Sequence, residues 1–301
     1  MSCIIATAGY DQCIKFWDLN NCTRSIPFTD SAVNKIIVSP DKDYLGVAAH
    51  TQLHLYKIEG FSQKPDKTYL DNKTNITDLG FEKDCKWLFT SSEDGILQIF
   101  DYRAEGFQMK YENSCCINSA ILQPLQSEIY FGDDKGTIGI WDLVKNEPRI
   151  LQEDPEQVAI RSIDITVEGS KLCAANSEGM VFVRNLNDKG EYVLIEDIEA
   201  HIDSYILKCK FSRCGQFIAT CSSDRTLKIW ECDDENSYEE IQELTGHTGW
   251  VWDCAFTVNS DYLVSVSSDA ILKIWEVESG DLRRVLKGHA KGITTLAFSD
   301  Y

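Results

Sequence analysis

The sequence has no long apolar run and few residues of the kinds that build metal sites. No uninterrupted apolar stretch approaches the roughly 20 residues that a membrane-spanning helix needs. The chain has only five histidines and no Cys-x-x-Cys pair, which disfavours structural zinc because such a site needs four convergent ligands. We therefore predict no membrane insertion, no bound metal and no other cofactor.

Basic charge is also scarce. The 29 Lys and Arg residues against 48 Asp and Glu give a net charge of −19, which would repel a phosphate backbone, so nucleic acid is not an expected partner. The twelve cysteines are scattered through strand-like segments, which favours reduced thiols in the cytosol over a disulfide framework. Met1–Ile5 show none of the features of a secretion signal. These observations predict a cytoplasmic protein.

The chain is dominated by a repeat. Seven copies of a short β-rich run end at Trp17, Tyr56, Phe100, Trp141, Arg184, Trp230 and Trp275, with spacings of 39, 44, 41, 43, 46 and 45 residues. Each of the four tryptophans is followed by Asp or Glu. This period and this ending are typical of the four-stranded blades of a WD-repeat β-propeller. We predict an all-β fold, a seven-bladed WD-repeat β-propeller, forming one domain over residues 1–301.

The two ends of the sequence complement each other. The chain opens with Ile4–Gly9 and a further β-rich run, which resemble the second and third strands of a blade without its first. The final apolar stretch, Ile293–Ser299, resembles a first strand with no Trp-Asp after it. We therefore predict that the C-terminal strand closes the first blade together with the N-terminal strands, so that the ring has no unpaired sheet edge.

Blades 6 and 7, counted by these markers, share an ordered set of polar residues. The predicted sets are His201, Ser222, Asp224 and Trp230 in blade 6, and His247, Ser267, Asp269 and Trp275 in blade 7. One interpretation is a Ser/His/Asp hydrolase site. The other is a structural network of buried hydrogen bonds that runs between strands to the indole N–H. Because the set occurs twice and lacks a nucleophile-elbow context, we favour the structural tetrad and predict no enzymatic activity.

Aromatic residues indicate where a partner protein would bind. The residue that precedes the first strand is Tyr205 in blade 6 and Trp250 in blade 7, and the other blades have no aromatic residue there. Strand alternation could point Trp252 the same way as Trp250. Tyrosine and tryptophan dominate interface hot spots, although an alternative role is to cover strand ends. Asp203 and Asp253 are predicted to add acidic rim contacts to a basic partner surface.

The chain resembles the lethal-with-Sec-thirteen protein eight family, also described as G-protein-β-subunit-like. The segments that carry the resemblance include Ile5–Trp17, Trp87–Asp94, Gly132–Leu143, Phe217–Trp230 and Gly249–Phe256. The opening Ala-Gly-Tyr-Asp and the Gly-Trp-Val-Trp segment are the most specific of these features. The chain departs from the family pattern in its greater acidity and in having Phe100 and Arg184 where tryptophan is usual.

The resemblance implies a non-catalytic scaffold subunit of target of rapamycin (TOR) kinase complexes in nutrient and growth signalling. Family members bind the kinase domain on an insertion in its larger lobe, beside the catalytic cleft, and through it meet the other subunits of complexes one and two. The resemblance also implies a cytoplasmic protein that reaches endomembranes only through the complex. The alternative is another adaptor propeller, such as a ubiquitin-ligase substrate receptor or a G-protein β-like scaffold. Those proteins usually carry a helical extension before the ring, which this sequence lacks.

Overall fold

A computed structural model of the chain describes residues 4–18, 21–28, 31–59, 63–125, 127–152, 154, 156–187, 190–233 and 237–299. Within these ranges, 28 strands form seven antiparallel sheets of four strands each. The sheets are the blades of a β-propeller, and blade numbers follow the seven sequence markers. The predicted fold class and blade count are confirmed.

The strands follow one another in chain order, blade by blade. Blades 1 to 3 contain β1 (Ile4–Gly9), β2 (Cys13–Trp17), β3 (Cys22–Pro27), β4 (Lys35–Val38), β5 (Tyr44–Ala49), β6 (Gln52–Lys57), β7 (Lys67–Tyr69), β8 (Ile76–Phe81), β9 (Trp87–Ser92), β10 (Ile96–Asp101) and β11 (Met109–Glu112). Blades 4 and 5 contain β12 (Ile117–Leu122), β13 (Glu128–Asp133), β14 (Ile138–Asp142), β15 (Glu147–Gln152), β16 (Ile160–Ile165), β17 (Lys171–Asn176), β18 (Met180–Leu186) and β19 (Tyr192–Glu199). Blades 6 and 7 contain β20 (Ile206–Phe211), β21 (Phe217–Ser222), β22 (Leu227–Cys232), β23 (Tyr238–Leu244), β24 (Val251–Phe256), β25 (Tyr262–Ser267), β26 (Ile271–Glu276) and β27 (Leu282–Lys287), and β28 (Ile293–Ser299) follows.

Blade 1 is closed by the last strand. Its strand order is β28-β1-β2-β3, and the register pairs Ile5 with Phe298 and Thr7 with Leu296. β28 therefore takes the innermost place that β4, β8 and the other first strands occupy in their own blades. The predicted closure is confirmed, and it leaves no unpaired inner edge in blade 1.

The apolar cores lie between neighbouring blades. The second strand of each blade is covered on both faces, and so β21 buries five of its six residues instead of alternating. One such core contains Trp230 of blade 6 together with Val181 and Val183 of blade 5. The outermost strands face solvent, and four of the six residues of β15 are exposed. This gradient explains why small apolar residues fill the middle strands and charged residues the outer ones.

Six innermost strands contain a β-bulge at their second residue. The extra residues are Thr294 in blade 1 and Thr77, Asn118, Arg161, Leu207 and Trp252 in blades 3 to 7. A bulge takes a side chain out of the normal alternation and re-aims it. Because the innermost strands surround the central channel, the six bulge side chains form a ring at one mouth of the channel.

Candidate partner-binding surface

Two kinds of connection share one face of the propeller, which we call the top face. They are the connections that enter the innermost strands and the turns between the second and third strands. In blade 6 they meet where His201, before β20, bonds Asp224 in the turn after β21, with an Nδ1 to Oδ2 distance of 2.7 Å. The bulge ring lies at the same end of the channel.

Tyr205, Trp250 and Trp252 lie together on the top face at blades 6 and 7, and we call them the aromatic cluster. The ring centroids of Tyr205 and Trp250 are 6.4 Å apart with nearly perpendicular planes, and those of Trp250 and Trp252 are 5.8 Å apart. Both distances fall within the favourable range for aromatic pairs. Tyr205 and Trp250 are 51% and 44% exposed, whereas Trp252 is half-buried. The structure thus brings the three predicted aromatics into one surface, and their role in binding stays a prediction.

The backbone beneath the aromatic cluster is anchored. The amide of Ser223 donates to the carbonyl of Tyr205 at 3.0 Å, and the amide of Ser268 donates to the carbonyl of Trp250 at 2.9 Å. The indole N–H of Trp252 donates to Ser268 Oγ at 2.7 Å. These bonds fix the cluster before any partner arrives, which lowers the ordering cost of association.

The bulge ring differs between two halves of the mouth. In blades 1, 3 and 4 the bulge side chain donates to a backbone carbonyl of the next blade, at the start of its first strand or two residues before it. These bonds run from Thr294 to Val33, from Thr77 to Ile117 and from Asn118 to Ile160, at 2.6 to 2.9 Å. Blade 5 has Arg161, which donates to Ser177 of its own blade. Blades 6 and 7 have Leu207, which has no polar group to donate, and Trp252, which bonds its own blade. The mouth is therefore polar on one side and apolar with aromatic character on the other.

The two predicted acidic rim residues have different environments. Asp203 is exposed on the top face, in the left-handed backbone region at φ 53°. Asp253 is only 4% exposed and lies inside the channel, where its carboxylate accepts from the amide of Leu296 at 3.1 Å and lies 3.7 Å from Lys35 Nζ. The prediction of Asp253 as a rim contact is wrong, because the bulge at Trp252 turns the next side chain into the channel.

Blades 1 and 6 each have one exposed apolar or aromatic residue on the top face that was not predicted. Tyr10 lies in the turn between β1 and β2 of blade 1 and is 48% exposed. Ile202 lies beside Asp203 in blade 6 and is also largely exposed. Blade 1 follows blade 7 around the ring, and so the apolar surface spans three consecutive blades. The sequence did contain a signal for Tyr10. It directly precedes Asp11, which lies six residues before Trp17, as Asp224 lies six residues before Trp230, and this spacing places Tyr10 in a top-face turn.

The blade 7 tetrad is a continuous chain of buried hydrogen bonds. Asp269 Oδ2 lies 2.8 Å from His247 Nδ1, and His247 Nε2 lies 2.9 Å from Ser265 Oγ. The indole of Trp275 donates to the same hydroxyl at 2.9 Å. The predicted serine, Ser267, instead accepts from the amide of Asp269 and donates to a backbone carbonyl. Its placement in the tetrad is wrong by two residues.

Blade 6 repeats this arrangement with threonine. His201 Nε2 lies 2.9 Å from Thr220 Oγ1, which also accepts from the indole of Trp230 at 3.2 Å. The predicted Ser222 lies outside this chain and accepts from the amide of Asp224. Burial alone would raise the pKa of Asp224, but hydrogen bonds from His201 and a neighbouring threonine lower it to about 2. The tetrad hydroxyl is buried and already bonded, which supports a structural role.

A third tetrad joins the two ends of the described chain. His289 Nδ1 lies 2.8 Å from Asp11 Oδ2, and its Nε2 lies 2.7 Å from Thr7 Oγ1. The indole of Trp17 donates to that hydroxyl at 2.7 Å. This set was not predicted from the sequence because its members lie at opposite ends of it. His289 precedes β28, whereas Thr7, Asp11 and Trp17 lie in β1, in the turn after it and in β2. The signal was a Gly-His pair at Gly288, matching that at Gly246.

The central channel contains charged side chains in two compartments. The upper one, under the aromatic cluster, has a volume of about 410 Å³, and the lower one about 470 Å³. Lys35 lies between the carboxylates of Asp78 and Asp253, at 3.8 and 3.7 Å. In the lower compartment Lys210 pairs with Asp164 at 2.7 Å. The three carboxylates also accept amide N–H groups or a hydroxyl from the following blade, so they link blades together.

The described ranges of the chain contain no metal site, no disulfide and no membrane-spanning helix. In those ranges no group of three or more His, Cys, Asp or Glu residues is arranged to hold a metal ion. The eleven cysteines that lie in them are free thiols. No helix in this part of the chain is long and apolar enough to cross a membrane.

Comparison with known proteins gives a family match and a fold match. Residues 63–101, 192–231 and 238–276 match the WD domain, G-beta repeat family. Among solved structures, the β-propeller domain of Cps50 (Swd1) from Myceliophteria thermophila superposes with a TM-score of 0.77, covering 90% of this chain and 91% of that chain at 14% identity. At that identity the likeness supports the propeller fold alone.

Three relatives match over nearly their whole length. The mouse target of rapamycin complex subunit LST8 is 38% identical over 99% of this chain and 95% of its own. The target of rapamycin complex subunit wat1 of Schizosaccharomyces pombe is 39% identical over 100% of this chain and 96% of its own. The Saccharomyces cerevisiae subunit LST8 is 34% identical over the full length of both chains.

Proposed function

This chain belongs to the LST8 family of target of rapamycin complex subunits, as the sequence resemblance predicted, and we propose that it is a non-catalytic scaffold subunit of a TOR complex. In this role it binds and stabilises the TOR kinase domain in nutrient and growth signalling. It meets the other subunits through that kinase domain. Its place is the cytoplasm, with contact to endomembranes through the complex.

The aromatic cluster is the observation that supports this role. Tyr205 and Trp250 are exposed, mutually packed and anchored through their backbone, whereas the opposite side of the mouth consists of polar side chains bonded to the next blade. Exposed, rigid tyrosine and tryptophan are the residue types that dominate binding energy at interfaces. We propose that the kinase domain contacts Tyr205, Trp250 and Trp252, and that Asp203 adds an acidic contact at the rim.

Co-purification with a TOR kinase domain tests the proposal. The wild-type chain, expressed together with the kinase domain, is expected to elute with it as one complex in size-exclusion chromatography. Trp250→Ala is expected to weaken the complex by about 2 kcal/mol or more, which is about thirtyfold in dissociation constant, because it truncates a central aromatic anchor. Biolayer interferometry on the purified proteins measures the change.

Tyr262→Ala is the matched control. Tyr262 is a partly exposed aromatic residue of the same blade, but it begins β25 and lies on the opposite face. It is expected to leave the affinity unchanged. Failure of the wild-type pair to associate would refute the proposed function. Equal affinities of wild type and Trp250→Ala would refute only the placement of the contact surface.

A further inference from the structure

The upper compartment of the channel contains one cation without a bonding partner. Lys208 is the third residue of β20, one position below the bulge residue Leu207, and it is only 8% exposed. Among the described residues, no hydrogen bond or ion pair within 4.0 Å reaches its ammonium group, although that group borders the cavity. The side chain is buried while its ammonium faces the cavity, so the ammonium is placed to donate to an acceptor that enters there.

The neighbouring charged groups already have partners. Lys35 is shared by Asp78 and Asp253, and Arg161 lies 3.8 Å from Asp134. The two channel carboxylates also accept hydrogen bonds from the next blade. With Arg161 paired to Asp134, the upper compartment holds two ammonium groups and two carboxylates, and Lys208 is the ammonium that makes no ion pair within 4.0 Å among the described residues.

Lys208 is charged at neutral pH. Burial lowers its pKa, but the carboxylates of Asp78, Asp253 and Asp164 more than offset that effect, so the pKa lies above the ordinary lysine value. An unpaired ammonium is satisfied best by an ionised acceptor, because charge-assisted hydrogen bonds are about twice as strong as neutral ones. An anionic oxygen is therefore the strongest acceptor that could enter the cavity beside Lys208.

The compartment opens directly beneath the aromatic cluster. Tyr205, Trp250 and Trp252 line the same cavity as Lys208, and its volume of about 410 Å³ exceeds that of one amino-acid side chain. A polypeptide segment lying across the cluster could place one side chain in the cavity. The three aromatics would then shield the resulting ion pair from water.

We propose that the upper compartment is a subsite for one acidic side chain, Asp or Glu, of the partner that the top face binds. The partner carboxylate enters the channel mouth and accepts a hydrogen bond from the Lys208 ammonium while its backbone lies against the aromatic cluster. This subsite rests on the proposed function, since the same partner supplies both contacts.

The affinity test compares two lysines of one blade. Lys208→Met keeps the length of the side chain and removes its charge, and it is expected to weaken binding of the TOR kinase domain about tenfold or more, because the inserted carboxylate loses its partner. Lys228→Met is the control, since Lys228 lies away from the channel, over the Trp230 ring and beside Glu240. It is expected to leave the affinity unchanged. If Lys208→Met does not fold, Lys208→Gln replaces it.

A zero-length cross-link identifies the partner group. A water-soluble carbodiimide activates a carboxylate, which then forms an amide with a lysine amine while the reagent leaves as a urea. Applied to the wild-type complex, it is expected to give a peptide in which Lys208 is joined to an Asp or Glu of the kinase domain, read by mass spectrometry. Affinity within threefold of wild type in the charge-removing variant, or reduced affinity without that cross-link, overturns the subsite.

The two proposals fail in different ways. If the wild-type pair does not associate at all, the proposed function fails and the subsite fails with it. If the pair associates and responds to Trp250→Ala but not to loss of the Lys208 charge, only the subsite fails.

Discussion

Blades 7 and 3 have the same four-stranded fold but differ in how they satisfy their buried polar groups. In blade 7 both imidazole nitrogens of His247, the indole nitrogen of Trp275 and the hydroxyl of Ser265 all have hydrogen-bond partners within the tetrad. In blade 3, Asn72 occupies the histidine slot and Phe100 the tryptophan slot, and Asn72 Nδ2 and Gln98 Oε1 are buried without a partner. A cavity of about 90 Å³ lies beside them. The same fold therefore tolerates both solutions, at different local cost.

The blades with a complete tetrad are neighbours in the ring. Blades 6, 7 and 1 are consecutive, and all three have a complete tetrad. Among the residues that the structure describes, the exposed aromatic residues of the top face, Tyr205, Trp250 and Tyr10, also belong to these three blades. A surface held by satisfied hydrogen-bond networks loses less conformational freedom on binding. The part of the ring with complete tetrads is thus the part that presents the proposed interface.

Removing an aspartate from the closing tetrad has the largest expected effect on stability. Asp11→Ala deletes a carboxylate that lies 2.8 Å from His289 Nδ1 and also accepts from the amides of Ala290 and Cys13, so a buried imidazole and two backbone amides lose their partner. We expect a loss of about 3 kcal/mol in the free energy of unfolding, measured by urea denaturation. Asp94→Ala, in the same slot of blade 3, is the matched control and is expected to cost about 1 kcal/mol. Equal losses would contradict the difference between the two kinds of blade.

Completing the tetrad of blade 3 is expected to have a smaller and opposite effect. Asn72→His places an imidazole beside Thr90, which now bonds Asn72 Oδ1 at 3.2 Å, and towards Asp94. The ring would fill part of the 90 Å³ cavity and replace an amide whose Nδ2 has no partner. We expect a gain of about 1 kcal/mol in the free energy of unfolding, measured in the same urea titration. A loss of stability would show that blade 3 has adapted to its own side chains.

The smallest expected effect is a dependence of stability on pH. Burial lowers the pKa of His289 below its ordinary value, although Asp11 opposes the shift. The folded state therefore resists protonation of this ring. The stability that the neutral ring contributes is complete above the pKa that His289 has in the unfolded chain, and it is lost as the pH falls from there through the lower pKa that His289 has in the folded protein. Between pH 7 and 5 we expect stability to fall by less than about 1.4 kcal/mol per pH unit. His289→Gln should show a flatter profile in thermal denaturation, and an unchanged slope would assign the dependence to another group.

Some of these features could be predicted from the sequence because they repeat. The marker spacing determines the number of blades, and the incomplete first and last repeats predict closure. The tetrad hydroxyl could not be placed by order alone, since Thr220 and Ser222 lie on the same face of β21. The strand register decides between the two hydroxyls. Trp230 pairs with Ile218, so Thr220, two residues further along β21, is within reach of the indole. Ser222 is four residues from Ile218, about 13 Å along the strand, and is too far away.

Other features depend on irregularities that leave no sequence pattern. The bulge at Trp252 decides that Asp253 faces the channel, and nothing in the order of residues marks a bulge there. The closing tetrad is different, since the Gly288-His289 pair marks its histidine, but Thr7 and His289 are 282 residues apart in the chain and no single repeat contains them both. The partnerless state of Lys208 likewise follows from which side chains surround it in three dimensions.

The pairing of β28 with β1 gives blade 1 a special place in the order of synthesis. On the ribosome, β1 to β3 are made first, yet their inner edge stays unpaired until β28 emerges after all the other strands. Joining them closes a loop of nearly the whole chain, a cost that grows only with the logarithm of loop length. Blade 1, which follows blade 7 in the ring, is therefore completed last. A partner that contacts blades 6, 7 and 1 together would therefore bind only a ring in which β28 has already paired with β1.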